Sequence, residues 1–498
     1  MSKEQRVNNI LKWVKKTTSL ILIIIFIVGI AFRFYNTPGK FGFDQDPTRD
    51  VLITEYITSS LHFPLIGPIS GIAPFTFGPW YYYELAFFRF IIPTPYAAFY
   101  FIPIFSLLLI PLMYLIGRQI QDEKLGLILA GFAALTPAQI GPTSGLSNPN
   151  LVPPHAAAVI LLFLLLYKKP STKLALLLGI VLGIGINHHY ELVPFILFPI
   201  VAFIKHYRRL VVLGVSFLAG LVIPFIPMII FNLTHDFQTV KGVLLYLTEG
   251  NGKYVPNSTK IYLHDFWVPF WSYVIGVPTS IGIVMAVLVV LCNAYLFIKR
   301  TLPVYYWLIL GIFGVIFIGL RFTPFERFYY YFLFLIPLIL LCIGILVRQA
   351  FTLPFGKIIF CLVAILFIGM SFPMNNLRFQ TSQDFRNIRQ EYLSLQNIIP
   401  TGGAVIYNCH MSRIEHAQGI TFHLINNHKL SLAGRKIGIQ DPFFTNGESN
   451  ACKFPKDPVK NLGSNMYDLS NSSDEALKKA GWLRVTPQDV FARSFRSE

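Results

Sequence analysis

The chain has 498 residues, 54% hydrophobic and only 13% charged, with a formal net charge of +17. Soluble domains carry about 25% charged residues, so a water-soluble globule is excluded and a bilayer is implied. The positive charge does not point to nucleic acid, because most of it sits in short loops between apolar runs, the positive-inside pattern of membrane proteins.

The first apolar run, 17–34, follows Lys12, Lys15 and Lys16 and lacks a small-residue cleavage site, so it reads as a retained anchor. Further runs at 96–117, 124–141, 152–167, 172–187, 192–204, 209–231, 276–298, 303–320, 328–348 and 354–372 bring the expected number of spans to about eleven. They do not alternate apolar and polar residues as barrel strands do, and in hydrocarbon every backbone polar group must be paired internally. An α-helical polytopic membrane protein is expected.

The basic residues orient it. Arg118 and Lys124, then Lys168, Lys169 and Lys173, then Lys205, Arg208 and Arg209, then Lys299 and Arg300, then Arg348 and Lys357 all fall on the side of the N-terminus. That side is expected to be cytoplasmic in a multi-pass plasma-membrane protein. An odd number of spans then places the C-terminal region outside.

The long connections lie on the outside, at 35–95 and 232–275. The first is too aromatic for a linker. Its stretch Gly78–Ile92 is expected to lie at the membrane interface, with Trp80, Tyr81, Tyr82 and Tyr83 at headgroup level. Two domains follow: a transmembrane domain, 1–374, and an extracytoplasmic domain, 375–498. In the latter a helix-like stretch, Phe385–Ile398, precedes the turn Pro400-Thr401-Gly402-Gly403 and an apolar strand, Ala404–Tyr407, which suggests a small α/β fold. Cys292, Cys342 and Cys361 lie in apolar runs and read as packing residues. Cys409 and Cys452 lie in the outside region, where a disulfide is an open question.

Three clusters bear chemistry. Phe43-Asp44-Gln45-Asp46-Pro47-Thr48-Arg49-Asp50 puts three carboxylates and an arginine within seven positions just outside the first span. Such carboxylates serve as a general base, as metal ligands or as partners of a cation. The plain alternative is a solvated loop in which Asp46 caps a helix that has Pro47 at its first position. Asn187-His188-His189-Tyr190-Glu191 ends a span. Neighbours on a helix point about 100° apart, so the two histidines make a poor chelating pair. One of them contacting phosphate or a metal stands beside an ordinary polar helix end. Arg321 and Arg327 bracket a short outside turn, with Glu326 between them. The arginine fork suits phosphate, and pairing with Glu326 or lipid headgroups is the alternative. No nucleotide-cradling glycine loop is present, which argues against ATP-driven transport, and few charges lie within the spans, which argues against ion-coupled transport.

The order of these features resembles the GT-C class of membrane glycosyltransferases, in the branch of the protein O-mannosyltransferases and the lipid A aminoarabinose transferases. The residues that carry the resemblance are Phe43-Asp44-Gln45, Arg49-Asp50 and Gly78-Pro79-Trp80-Tyr81-Tyr82-Tyr83, and it covers roughly 10–372. It implies the GT-C fold and a polyprenyl-phosphate-linked sugar donor, with a lipid, glycan or protein acceptor. It also implies Asp44 as the catalytic carboxylate. Arg49, Asp50 and Tyr82 are implied in substrate binding by the matched segments, and His189, Arg321 and Arg327 are placed there by topology. The mannosyltransferases have a glutamate where this chain has Gln45. Use of a divalent cation, Mg or Mn, on Asp44 and Asp46 is therefore left open. A lipid or polysaccharide transporter and a non-catalytic envelope assembly protein are the competing classes. The first would depend on residues deep in the spans, the second on the C-terminal region.

Overall fold

The computed structural model describes residues 3–35, 45–70, 75–93, 96–249, 258–322 and 327–356, with 358, 369 and four short strands further on. Six helical stretches among them are long and apolar enough to cross a membrane: Thr17–Phe34, Ala97–Ile120, Asn148–Lys168, Tyr207–Thr234, Thr279–Lys299 and Tyr329–Ala350. A bent pair, Glu123–Leu135 with Pro137–Thr143, makes a seventh, and Thr172–His188 and Val304–Leu320 are shorter apolar helices. These nine coincide with nine of the expected spans. The expected span 192–204 is a 3-10 stretch, Tyr190–Ile196, that runs into the helix Leu197–Lys205. Pro194 inside the first piece removes a backbone donor there and accounts for the tighter winding. The expected span 354–372 lies largely outside the described residues, as do Phe385–Ile398, Cys361, Cys409 and Cys452.

The first helices are α1 (Lys3–Phe34), α2 (Gln45–Ser60), α3 (Trp80–Ile91), α4 (Ala97–Ser106), α5 (Leu109–Ile120) and α6 (Glu123–Leu135). The chain divides into two compact units, one of Met1–Tyr35, Ile102–Thr143 and Asn148–Phe379, the other of Asn36–Phe101, Ser144–Ser147 and Gln380–Glu498.

In the first unit the stretches Asn148–Lys168 and Tyr329–Ala350 are the most enclosed, while Thr279–Lys299 leaves most of its apolar surface uncovered. Lipid tails offer no hydrophobic reason for helices to associate, so close backbone approach must hold them together. Helices Thr172–His188 and Leu210–Val222 achieve it through facing glycines. A Cβ on Gly179 would lie 2.1 Å from the Phe217 carbonyl oxygen, and one on Gly220 would lie 2.1 Å from that of Leu176.

Helix α6 is fastened at both ends. At its N-terminus the Asp122 side chain caps the Leu125 N–H at 2.8 Å and pairs with Arg348 Nη2 at 2.7 Å. Thr18 of α1 donates to Glu123 at 3.0 Å. At its C-terminus the chain turns at Thr136-Pro137 and bends by 51°. Pro137 has no N–H, so the Ala133 carbonyl loses its helical partner, and the turn orphans that of Ala134. Arg33, near the end of α1, supplies both. Its Nη2 donates to Ala133 at 3.0 Å and its Nη1 to Ala134 at 3.0 Å, while Nε donates to Ser106 Oγ at 2.7 Å. The side chain is 2% exposed. A cation at the negative end of a helix is favourably placed electrostatically. Thr136 Oγ1 also donates to the Val274 carbonyl at 2.6 Å, so the break is pinned from two directions.

In the second unit α2 packs on α3, and the connection between them folds back on itself. Gly67 N–H donates to Phe77 at 2.9 Å, Phe77 N–H to Pro68 at 2.8 Å, and an antiparallel bridge joins Ile69 to Thr76. Gly67 has no substitute here, because a Cβ would lie 1.9 Å from the Gly78 carbonyl oxygen. The strands β1 (Ala404–Tyr407), β2 (Met466–Ser470), β3 (Leu483–Arg484) and β4 (Phe491–Phe495) form a sheet of order β1-β2-β4-β3. β1 runs parallel to β2, with Val405 opposite Tyr467, and the other pairings are antiparallel. The expected strand Ala404–Tyr407 is thus present with those bounds.

Candidate active site

Helix α2 starts at Gln45, two residues before the position expected from Pro47. Asp46 therefore lies within the first turn, where a carboxylate also suits the helix N-terminus. Asp46, Arg49 and Asp50 are spaced i, i+3 and i+4, so they share one side of the helix. Val51, Thr54 and Ile57 are buried and carry α2 into its unit. Thr54 Oγ1 bonds back to the Asp50 carbonyl at 2.7 Å.

Asp50 is the hub of the site. Its Oδ2 accepts from Tyr81 OH at 2.9 Å, and its Oδ1 from Tyr82 OH at 3.1 Å. The same Oδ1 accepts from Arg49 Nε at 2.9 Å and Nη2 at 2.8 Å. The Asp50 side chain is 1% exposed. Burial pushes its carboxyl up to about 6, against the opposing pull of Arg49 and with Asp46 adding to the rise. Arg49 Nη1 makes a second ion pair, 2.7 Å to Asp46 Oδ1, and that carboxylate is 69% exposed. Exposed helical pairs of this kind contribute about 0.2–1 kcal/mol, whereas a hydrogen bond to a buried charge contributes about 1.5–3 kcal/mol. Asp50 therefore sets where the guanidinium lies, and Asp46 contributes little to holding it.

The tyrosines come from the first turn of α3, and both are buried. Tyrosine hydroxyls at headgroup level ordinarily face water or lipid. A buried carboxylate with unfilled acceptor sites offers their hydroxyls partners inside the protein instead. Tyr83 lies on another face of α3, donating to the Pro64 carbonyl and packing edge-on against Phe63 at 5.5 Å. Tyr81 is in the matched segment, but only Tyr82 of that segment is implied in substrate binding. The signal for Tyr81 was the run of three tyrosines after Trp80, in which the spacing alone did not say which ones face inward.

The other candidates lie in the first unit. Arg327 sits over the Tyr262 ring, 5.0 Å from its centroid, and its Nη2 donates to the Arg321 carbonyl at 3.3 Å. Arg321 Nη2 reaches Thr259 Oγ1 at 3.4 Å. Burial lowers the Arg327 pKa, Tyr262 opposes that shift and the Arg321 charge adds to it. A like charge near enough to lower the Arg327 pKa makes this a cationic end of the chain's first unit, which suits an anion. His189 leaves the helical path in an extended conformation, stacks on Tyr331 at 5.2 Å and pairs with Glu191. His188 stays in the helix, fully buried, with its ring 4.9 Å from that of His155. Asp44 and Glu326 lie outside the described residues.

Asp46 is a poor fit for a divalent cation in this arrangement. Arg49 occupies its Oδ1, so a metal on that carboxylate would sit beside a guanidinium charge.

Comparison with known proteins decides the fold. Residues 78–231 match the family model described as dolichyl-phosphate-mannose-protein mannosyltransferase. ArnT from Cupriavidus metallidurans bound to undecaprenyl phosphate superposes with a TM-score of 0.59 at 13% identity, over 97% of this chain and 98% of that one. The chain has the GT-C glycosyltransferase fold. The archaeal oligosaccharyltransferase AglB from Archaeoglobus fulgidus, in complex with an inhibitory peptide and a dolichol-phosphate, gives a TM-score of 0.52 at 13% identity, over 98% of this chain and 75% of that one. The Archaeoglobus fulgidus oligosaccharyltransferase solved with Zn and sulfate gives 0.50 at 14% identity. There the match takes in 81% of this chain but 61% of that one, less than two thirds of its length. No curated protein sequence matches the chain significantly. The expected GT-C fold is therefore present, and the family match begins at Gly78, the first residue of the Gly78–Tyr83 segment that carried the resemblance.

Proposed function

We propose that the protein takes a sugar from a polyprenyl-phosphate donor and passes it to a lipid, glycan or protein acceptor on the extracytoplasmic face. The observation that carries this reading is the match of 78–231 to the mannosyltransferase family model. It begins at the glycine-proline-tryptophan-tyrosine segment whose Tyr81 and Tyr82 close on Asp50. The polyprenyl phosphates bound by ArnT and AglB are the donor chemistry that the cationic residues here would suit.

In this reading Asp44 is the general base. It removes the proton of the acceptor hydroxyl as the acceptor oxygen attacks the anomeric carbon and the bond from that carbon to the phosphate oxygen breaks. Polyprenyl phosphate leaves from the opposite face, so configuration inverts. Arg49, from a matched segment, is the first candidate to hold the departing phosphate, and His189, Arg321 and Arg327, in the other unit, are the alternative candidates. Asp50 and Tyr82 serve substrate binding by fixing Arg49. In this reading the basic loops and the N-terminus face the cytoplasm, and 375–498 forms an extracytoplasmic domain.

The test is Asp44→Asn, assayed for transfer in membranes supplied with a radiolabelled polyprenyl-phosphate sugar. Loss of a general base costs about 10²–10⁴ in rate, so transfer should fall by that factor at unchanged expression. Full activity in the variant would sink the reading. The same assay with EDTA, then with Mg or Mn restored, reads whether a divalent cation takes part.

A further inference from the structure

Arg49 is held between two carboxylates of unequal standing. The buried one, Asp50, takes the Nε and Nη2 edge of the guanidinium and is itself fixed by two tyrosine hydroxyls. The other, Asp46, touches Nη1 alone, from one turn away, and is 69% exposed. A guanidinium presents its donors in a rigid planar fork. One edge of this fork is locked into the protein, and a solvent-facing acid closes the remaining corner.

We propose that Asp46 stands in for the phosphate of the lipid-linked substrate, which displaces it from Arg49 Nη1 while Asp50 keeps the guanidinium in place. This rests on the proposed polyprenyl-phosphate donor. The exchange is physically undemanding. Asp46 sits at the exposed start of α2, so its side chain turns to water without moving the backbone. A phosphate brings three acceptor oxygens and more charge than one carboxylate oxygen does. Arg49 is paired before and after the exchange, so no step leaves a largely enclosed cation without an anion. Asp46 then sets a threshold, because an anion that binds a guanidinium no better than a carboxylate does not replace it.

The test uses the full-length protein in phosphatidylcholine nanodiscs, titrated with undecaprenyl phosphate and read by intrinsic tryptophan fluorescence. Asp46→Asn should bind about threefold more tightly than the wild type, the scale of one exposed ion pair. Asp46→Ala should show the same gain, which separates the lost charge from any change at the helix start. Arg49→Ala should weaken binding, and the gain should vanish in the Asp46→Asn/Arg49→Ala double variant. Equal or weaker binding by Asp46→Asn, or a gain that survives without Arg49, would overturn the exchange. An equal gain for phosphatidylglycerol would assign the contact to ordinary anionic headgroups and overturn it too. A wild type that binds undecaprenyl phosphate, with Asp46→Asn no tighter, removes the exchange alone. Failure of the donor reading shows separately, as full transfer by Asp44→Asn.

Discussion

Two arginines in the two units are enclosed in opposite ways. The acceptors of Arg33 are neutral: the carbonyls of Gly29, Ala133 and Ala134 and the hydroxyl of Ser106. Arg49 is bound by two carboxylates, one buried and one exposed. The first arrangement uses a charge to finish hydrogen bonds that a broken helix left open, and each of its partners belongs to the fold. The second has one partner that belongs to the fold and one that solvent or a ligand can replace. An arginine at membrane depth is commonly read as a functional residue. Here the partner list shows Arg33 to be an architectural residue and leaves exchange chemistry to Arg49.

The largest effect should come from breaking the architectural arginine. Arg33→Met keeps the length and apolar stem but removes the donors, leaving the carbonyls of Ala133 and Ala134 buried without them. Each such orphan costs about 1–3 kcal/mol, so the loss should reach several kcal/mol and show as a large fall in thermal midpoint in detergent. Arg33→Lys, with three donors in a different geometry, should fall between the two. A Met variant as stable as the wild type would mean that Arg33 is not what fastens the break.

Next comes the hub of the other network. Asp50→Ala strips the acceptor from Tyr81, Tyr82 and one edge of Arg49. Transfer should drop at least tenfold, on the order of 1.4 kcal/mol or more of lost positioning. Asp50 also carries a pH signature. Its carboxyl is pushed up to about 6 in the folded chain, against about 3.9 when unfolded. Between those values the folded state keeps a proton that the unfolded chain has released, so this group's contribution to stability falls as pH rises from about 4 to about 6, then levels. The difference in thermal midpoint between the wild type and Asp50→Asn should follow that course. A difference that grows with pH would show that Arg49, rather than burial, governs the carboxyl.

The sequence disclosed these regions unequally. Helices with apolar runs of near-membrane length were legible because lipid imposes that length, and nine expected spans are present as helices. The pairing of Arg49 with Asp50 was legible from a short segment, since the two are neighbours in the chain. That Tyr82 meets Asp50 was not, because 32 positions separate them and no local pattern encodes the contact. Arg33 escaped notice for a related reason. A charge at the end of a span reads as a flanking residue reaching for the interface, and only the break at Pro137, about a hundred residues later, gives it partners. The inward turn of Tyr81 and Tyr82 was hidden because a tyrosine suits a headgroup region and a buried acid equally well.

The smallest effect belongs to the opposite end of α6, and it sharpens the contrast with Arg33. Arg348 and Asp122 form a bidentate-like contact, but their side chains are 15% and 35% exposed, so water competes for both. Arg348→Ala should lower the thermal midpoint only slightly, by about 1 kcal/mol or less in stability. Asp122→Ala should cost more, because it also removes the cap on the Leu125 N–H, worth about 1 kcal/mol by itself. A double-mutant cycle across the two separates pairing from capping. Coupling near zero would assign the N-terminal fastening to the cap alone. Coupling as large as the loss at Arg33 would mean that a partly exposed ion pair holds α6 as firmly as buried carbonyl contacts do, and exposure would no longer distinguish an architectural arginine from an exchangeable one.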